Sequence, residues 1–184
     1  MQEIEQARHA GAEAREEEVK EAEEEWQVIR RDVLDRAHEF IKDRLRALSP
    51  EQMELLVAAL LRAMGYKARV TGRGPDRGRD VIASPDGLGF QQPRIIGEVK
   101  HRRDTIGAPQ IRSFLGGLRA GDQGLYVSTG GYTREARYEA DRASNPITLV
   151  DLDELASLVV EHYERFDSEG RSLVPLTRVY WPAS

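Results

Sequence analysis

Residues 78–103 read GRDVIASPDGLGFQQPRIIGEVKHRR, and the way this stretch divides decides the fold. DVIAS and RIIGEVK are short runs rich in Ile and Val, the composition of strands. Between them PDGLGFQQP is a loop opened by the Asp86-Gly87 turn. Two features do not suit an apolar strand pair. Asp80 stands at the head of the first run, and the second ends in Glu98-Val99-Lys100. A carboxylate and an ammonium beside a core are costly unless something compensates them. Side chains two apart on a strand share a face, so Glu98 and Lys100 project together while Val99 faces away. Pairing of the two strands can bring Asp80 to the same edge.

The flanking sequence supplies the other elements. SPEQMELLVAALLRAMGY sets Ser49 as an N-cap, Pro50 at the first helical position and Gln52 three residues after the cap. Met53, Leu56, Val57, Leu60, Leu61 and Met64 form its apolar face, and Gly65 ends it. Glu54 flanks that face, either directed toward a cleft or solvated in the first turn. YKARV is a first strand, followed by the glycine-rich loop TGRGPDRGR and the pair described above. Then come a helix on Ile111, Phe114, Leu115 and Leu118, a strand in GLYVSTGG, a polar helix capped by Thr133, a strand in ITLVD and a closing helix LDELASLVVEHYERF. The order αβββαβαβα predicts an α/β sandwich with a mixed central sheet and helices on both faces. Residues 49–166 make up this domain. Residues 1–48 form a long helical segment before it, and 167–184 a tail packing on the body through Leu173, Val174, Val179, Tyr180 and Trp181.

Charge is unevenly spread along the chain. Residues 1–50 carry 14 acidic and 9 basic groups, whereas residues 67–119 carry 11 basic and 5 acidic. A polyanion responds to that local excess rather than to the whole-chain net charge of −5. From Trp26 an apolar stripe of Trp26, Ile29, Val33, Ala37, Phe40/Ile41, Leu45 and Leu48 marks one helix face. It needs either the main domain or a second copy, which makes residues 26–48 a candidate homodimer contact. The chain has no cysteine, so disulfides, thiolate–zinc sites and cysteine nucleophiles are excluded. No signal-peptide core or membrane-length run is present, and a cytoplasmic protein without a membrane partner is expected.

Several chemistries fail on the residues. GRGPDRGRD leads into a strand, and it lacks both the GK[ST] of a phosphate-cradling loop and a dinucleotide fingerprint. His9, His38, His101 and His162 have no zinc-ligand spacing. Asp80, Glu98 and Lys100 remain. Two carboxylates on rigid strands suit Mg²⁺, with Mn²⁺ as an alternative, and an adjacent lysine can orient a water or offset charge on a phosphate.

Taken in order, LSPEQMELLVAALLRAMGY, GPDRGRDVIAS, GEVKHRR, IGAPQIRSFLGGL, GLYVSTGGYTREA and ITLVDLDELASLV resemble the Mrr-like restriction endonuclease branch of the PD-(D/E)xK nuclease superfamily. The resemblance implies a Mg²⁺-dependent DNA endonuclease acting in restriction or defence against foreign DNA. Asp80 and Glu98 would be metal ligands, Val99 a carbonyl ligand, Lys100 the residue beside the attacking water, and Glu54 an accessory acid on the first helix. Many relatives carry Gln where this chain has Glu98, and longer relatives carry a separate DNA-recognition domain for which the acidic residues 1–48 are no counterpart. His101, Arg102, Arg103 and Arg112 are candidate phosphate contacts, and Gln110 either binds substrate or caps its helix. A structure-selective repair nuclease and a non-catalytic DNA-binding module on the same fold stay open.

Overall fold

The computed structural model describes residues 2–72 and 79–181. Most of the TGRGPDRGR loop, with Arg73, Asp76 and Arg77, lies outside the described residues. The chain divides into two units, one of Met1–Phe40 with Arg178–Ser184 and one of Ile41–Thr177.

In the first unit a single helix, α1 (Gln2–Arg46), runs the length of the segment and continues into the second. The apolar stripe splits along it. Ile41 is half-buried and Leu45 and Leu48 are buried, while Trp26, Ile29, Val33 and Phe40 are exposed. Trp26 meets the ring of Trp181 edge-on at 5.9 Å. In the tail, Leu173 and Val174 are buried, whereas Val179 and Tyr180, expected to pack with them, are exposed.

The second unit is the αβββαβαβα sandwich. Its elements are α2 (Pro50–Ala63), β1 (Lys67–Val70), β2 (Val81–Ser84), β3 (Arg94–Lys100), α3 (Ala108–Leu115), β4 (Asp122–Ser128), α4 (Arg134–Asp141), β5 (Ile147–Val150) and α5 (Leu152–His162), with a further short helix α6 (Ser168–Leu173). The capping signals act where the residues place them. Ser49 accepts from the Gln52 amide while the Gln52 side chain accepts from the Ser49 amide, a reciprocal cap in which the Ser49 hydroxyl alone is worth about 1 kcal/mol. Gly65 takes the left-handed conformation, φ +100°, and turns the chain into β1.

The sheet order is β1-β2-β3-β4-β5, with β1, β2 and β3 antiparallel and β3, β4 and β5 parallel. Alternation divides β3 between two cores. Ile95 and Val99 face α2 and α5, packing with Val81, Val57 and Leu155, and Ile96 faces α3 and α4, packing with Tyr126, Ile111 and Phe114. Because helices cover both faces, residues 95–99 of this central strand are all buried. Gly97 is needed for the fit of β3 on β2, since a Cβ there would stand 3.2 Å from the Val81 Cβ.

The loop between β2 and β3 is organised by Asp86. Its carboxylate accepts from the Ser84 hydroxyl at 2.8 Å and from the amides of Leu88, Gly89, Phe90 and Gln91 at 2.9–3.2 Å. Desolvation works upward on this group, but the Ser84 hydroxyl and the amides outweigh it and hold the carboxyl at about 2 against an ordinary 3.8. A depressed carboxylate stabilises the fold at pH above its unfolded value and loses that contribution as pH falls through the folded one. Asp86→Ala is therefore expected to lower the melting temperature at neutral pH. The gap to the wild type should close as pH falls from 3.8 to about 2, as followed by thermal melts.

Candidate active site

The hydrogen bonding of β2 to β3 begins one residue before the first residue of β2. Val81 lies opposite Gly97 and Ile82 opposite Ile96, and the Asp80 amide donates to the Gly97 carbonyl at 2.8 Å. Asp80 thus lies beside the Gly97–Val99 stretch of β3, and its charge acts on the Glu98 carboxyl. Thr71 closes the other end of the glycine-rich loop. Its amide donates to the Asp80 carbonyl at 2.9 Å, and its hydroxyl donates to the Arg79 carbonyl.

Each carboxylate has one oxygen anchored. Asp80 Oδ2 accepts from the Val99 amide at 2.7 Å. Glu98 Oε1 takes both the Lys100 ammonium, 2.7 Å away, and the Tyr126 hydroxyl, 3.3 Å away. Glu98 is 9% exposed. Burial raises its carboxyl above the usual range, the Lys100 ammonium works downward, the Asp80 charge adds to the rise, and the Tyr126 hydroxyl opposes it. The Lys100 ammonium thus does not offset the burial of Glu98 beside the Asp80 charge. A hard divalent cation suits such a pair: Mg²⁺ binds through one or two carboxylates and keeps several waters. Among the described residues no three His, Asp or Glu side chains converge. Glu54 is half-buried on α2, which packs on the opposite face of the sheet from Glu98.

The residues after Lys100 are held as a unit. The Thr129 amide donates to the Lys100 carbonyl, the Ile106 amide to Gly131 and the Thr133 amide to Ile106, zipping 100–106 onto 129–133. Gly130 is required there, because a Cβ would run into the Asp104 and Arg102 carbonyls. Both nitrogens of His101 are engaged, Nε2 donating to the Leu48 carbonyl at 2.8 Å and Nδ1 lying 3.2 Å from Thr129 Oγ1. His101 thereby ties the end of β3 to the entry of α2. Arg102 and Arg103 are exposed, and the Arg102 charge acts on the Tyr126 hydroxyl beside Glu98. Gln110 caps α3 by accepting from the Gly107 amide at 3.2 Å. Arg112 is ion-paired with Glu139 of α4 at 3.1 Å.

Two neighbours of the site escaped sequence reading. Tyr126 lies opposite Glu98 and Ser128 opposite Lys100 in the parallel β3–β4 register. Ser128 is fully buried, and among the described residues its hydroxyl has no hydrogen-bond partner. Leaving a buried hydroxyl unpaired costs about 1–3 kcal/mol. Alternation in GLYVSTGG places Tyr126 and Ser128 on one face, but nothing local tells which strand they adjoin.

Residues 45–159 match the Mrr_cat family, described as restriction endonuclease. Among solved structures, the MspJI restriction endonuclease in complex with a 27-mer oligonucleotide is 22% identical with a TM-score of 0.50, over 78% of this chain and 35% of that one. The DNA modification-dependent restriction endonuclease AspBHI is 18% identical with a TM-score of 0.54, over 73% of this chain and 38% of that one. At these identities the likeness is one of fold, and this chain spans little more than a third of either protein. No significant match was found among curated proteins. Among the described residues no helix is long and apolar enough to cross a membrane.

Proposed function

We propose that this chain, which belongs to the Mrr_cat restriction endonuclease family, hydrolyses DNA phosphodiester bonds at the row Asp80, Glu98 and Lys100 with a divalent cation, Mg²⁺ or Mn²⁺, in defence against foreign DNA. The observation that carries the reading is the Asp80 carboxylate held on the Val99 amide at 2.7 Å with its charge acting on the adjacent Glu98, and Lys100 against Glu98 at 2.7 Å. Asp80 and Glu98 would hold the cation with the Val99 carbonyl, and the cation would supply Lewis-acid polarisation of the phosphate and a more acidic bound water. Lys100 orients that water and offsets charge developing on the phosphoryl oxygens. Arg102 and Arg103, displayed on the zipped loop, contact phosphates on either side of the scissile bond. His101 acts by bracing that loop rather than by touching DNA, because its ring nitrogens are occupied.

Supercoiled plasmid incubated with the protein and Mg²⁺ is expected to be nicked or linearised. Asp80→Ala and Lys100→Ala should each lower the rate by about 100-fold or more. Arg102→Ala or Arg103→Ala should weaken DNA binding across sequences and reduce the salt slope by about one. Plasmid that is retarded but stays intact with every metal would favour the non-catalytic DNA-binding module. Preferential cutting of branched over linear DNA would favour a repair nuclease.

A second copy is proposed to pair through the exposed Trp26, Ile29, Val33 and Phe40 face of α1. An antiparallel sense suits the charges, because a parallel pair would stack the ten acidic residues of 1–25 on ten more. Light scattering should give twice the chain mass for the wild type and a single chain for Val33→Glu.

A further inference from the structure

We propose that β4 supplies a second row of functional side chains, in which Tyr126 positions the Glu98 carboxylate for the cation and Ser128 receives the Lys100 ammonium when it leaves Glu98. The proposal rests on the reading of Asp80, Glu98 and Lys100 as a cation-dependent site, and it assigns roles to two residues of the neighbouring strand.

Tyr126 is built as a rigid donor. Its ring is fully buried, meets Phe114 edge-on at 5.3 Å and lies 6.2 Å from the Tyr132 ring. Tyr132 sets its hydroxyl 2.6 Å from the Tyr126 carbonyl and 3.1 Å from that of Val150, bridging the backbones of β4 and β5 without touching Glu98. Burial and the Glu98 charge keep the Tyr126 hydroxyl protonated, and it donates to Glu98 Oε1. Lys100 donates to the same oxygen. Among the described residues both bonds to Glu98 therefore fall on Oε1, as the Val99 bond to Asp80 falls on Oδ2. One oxygen of each carboxylate is left to face a cation. Outer partners of this kind fix ligand orientation and tune affinity.

Ser128 answers a different need. A cation on Glu98 repels the ammonium that pairs with it in this structure. Lys100 must then find another acceptor without leaving the site. Ser128 lies directly opposite on the adjoining strand, about 4.8 Å away in backbone spacing, and among the described residues its hydroxyl has no partner. Accepting from Lys100 would hold the ammonium beside the scissile phosphate and satisfy the orphan hydroxyl in the same movement.

The test uses the full chain with Tyr126→Phe, Ser128→Ala and, as a comparator that keeps Glu98 untouched, Tyr132→Phe. Mn²⁺ binding without DNA is read by calorimetry and by the metal-induced rise in melting temperature, and plasmid cleavage is read against Mg²⁺ concentration. Tyr126→Phe is expected to weaken Mn²⁺ binding and to raise the half-maximal Mg²⁺ concentration by about 10-fold, because the Glu98 carboxylate loses the donor that orients it. Its rate at saturating Mg²⁺ should stay within about threefold of the wild type, and Tyr132→Phe should keep the wild-type metal dependence. Ser128→Ala is expected to melt no lower than the wild type without metal and to bind Mn²⁺ normally, yet to cut at least about fivefold more slowly at saturating Mg²⁺. Wild-type metal dependence in Tyr126→Phe, or an equal shift in Tyr132→Phe, would overturn the Tyr126 assignment. An unchanged rate in Ser128→Ala, or a rate loss matched by lower stability, would overturn that of Ser128. A wild type that neither binds Mn²⁺ nor cuts DNA would instead refute the underlying reading of the site.

Discussion

The register of β3 between its two neighbours is the constraint on which the rest depends. Side chains alternate along a strand, so a slip of one residue would turn Glu98 and Lys100 into the core shared with α2 and α5 and carry Val99 to the other face. Two devices prevent it. On one side the β2 hairpin, closed by Asp86, sets Val81 against Gly97 and brings the Asp80 carboxylate to the Val99 amide. On the other, Arg94 makes a two-pronged bond to the buried Asp122 at 2.7 and 2.9 Å, joining the first residues of β3 and β4. Removing the half-buried arginine would leave the buried Asp122 carboxylate without its ion-pair partner. The far ends of the same two strands carry Lys100 and Ser128, so an ion pair at one end of the ladder sets the geometry at the other.

Given that register, electrostatics dictates what the site can do. Lys100 pairs with Glu98 while the Asp80 charge acts on the same carboxyl, and burial leaves Glu98 with a raised tendency to hold a proton. The pair is rigid because each carboxylate is bonded to strand backbone or to a buried ring. Rigid, under-neutralised oxygen donors are what a divalent cation relieves, and a phosphate brought by that cation would meet Arg102 and Arg103 on the adjoining loop. The loop is in turn fixed to the β4–α4 turn through Gly130 and Thr129, which links the basic side chains to the same two strands.

Much of this was legible in the residues because it is written locally. The Ser49 cap, the Gly65 stop, the strand periods and the Thr133 cap each depend on neighbours a few positions away, and they suffice for the element order of the sandwich. The carboxylate pair was legible because β2 and β3 are joined by a hairpin. What was hidden depends on contacts between distant positions. Tyr126 and Ser128 become neighbours of the site only through a parallel pairing 28 residues away. His101, an expected phosphate contact, has partners in Leu48 and Thr129 that no local pattern shows. For Gln110 both a cap and a substrate contact were open, and the cap is made. α6 was missed because six residues are too few to display a helical period.

The most direct test of a cation held between Asp80 and Glu98 is amide NMR of the free protein titrated with Mn²⁺, whose unpaired electrons broaden resonances near the bound ion. The account predicts that the amides of Asp80, Val81 and residues 98–100 broaden first, and that Asp80→Asn abolishes this selectivity. Broadening that begins instead on the acidic stretch of α1 or around Asp86, or that is unchanged in Asp80→Asn, would contradict it.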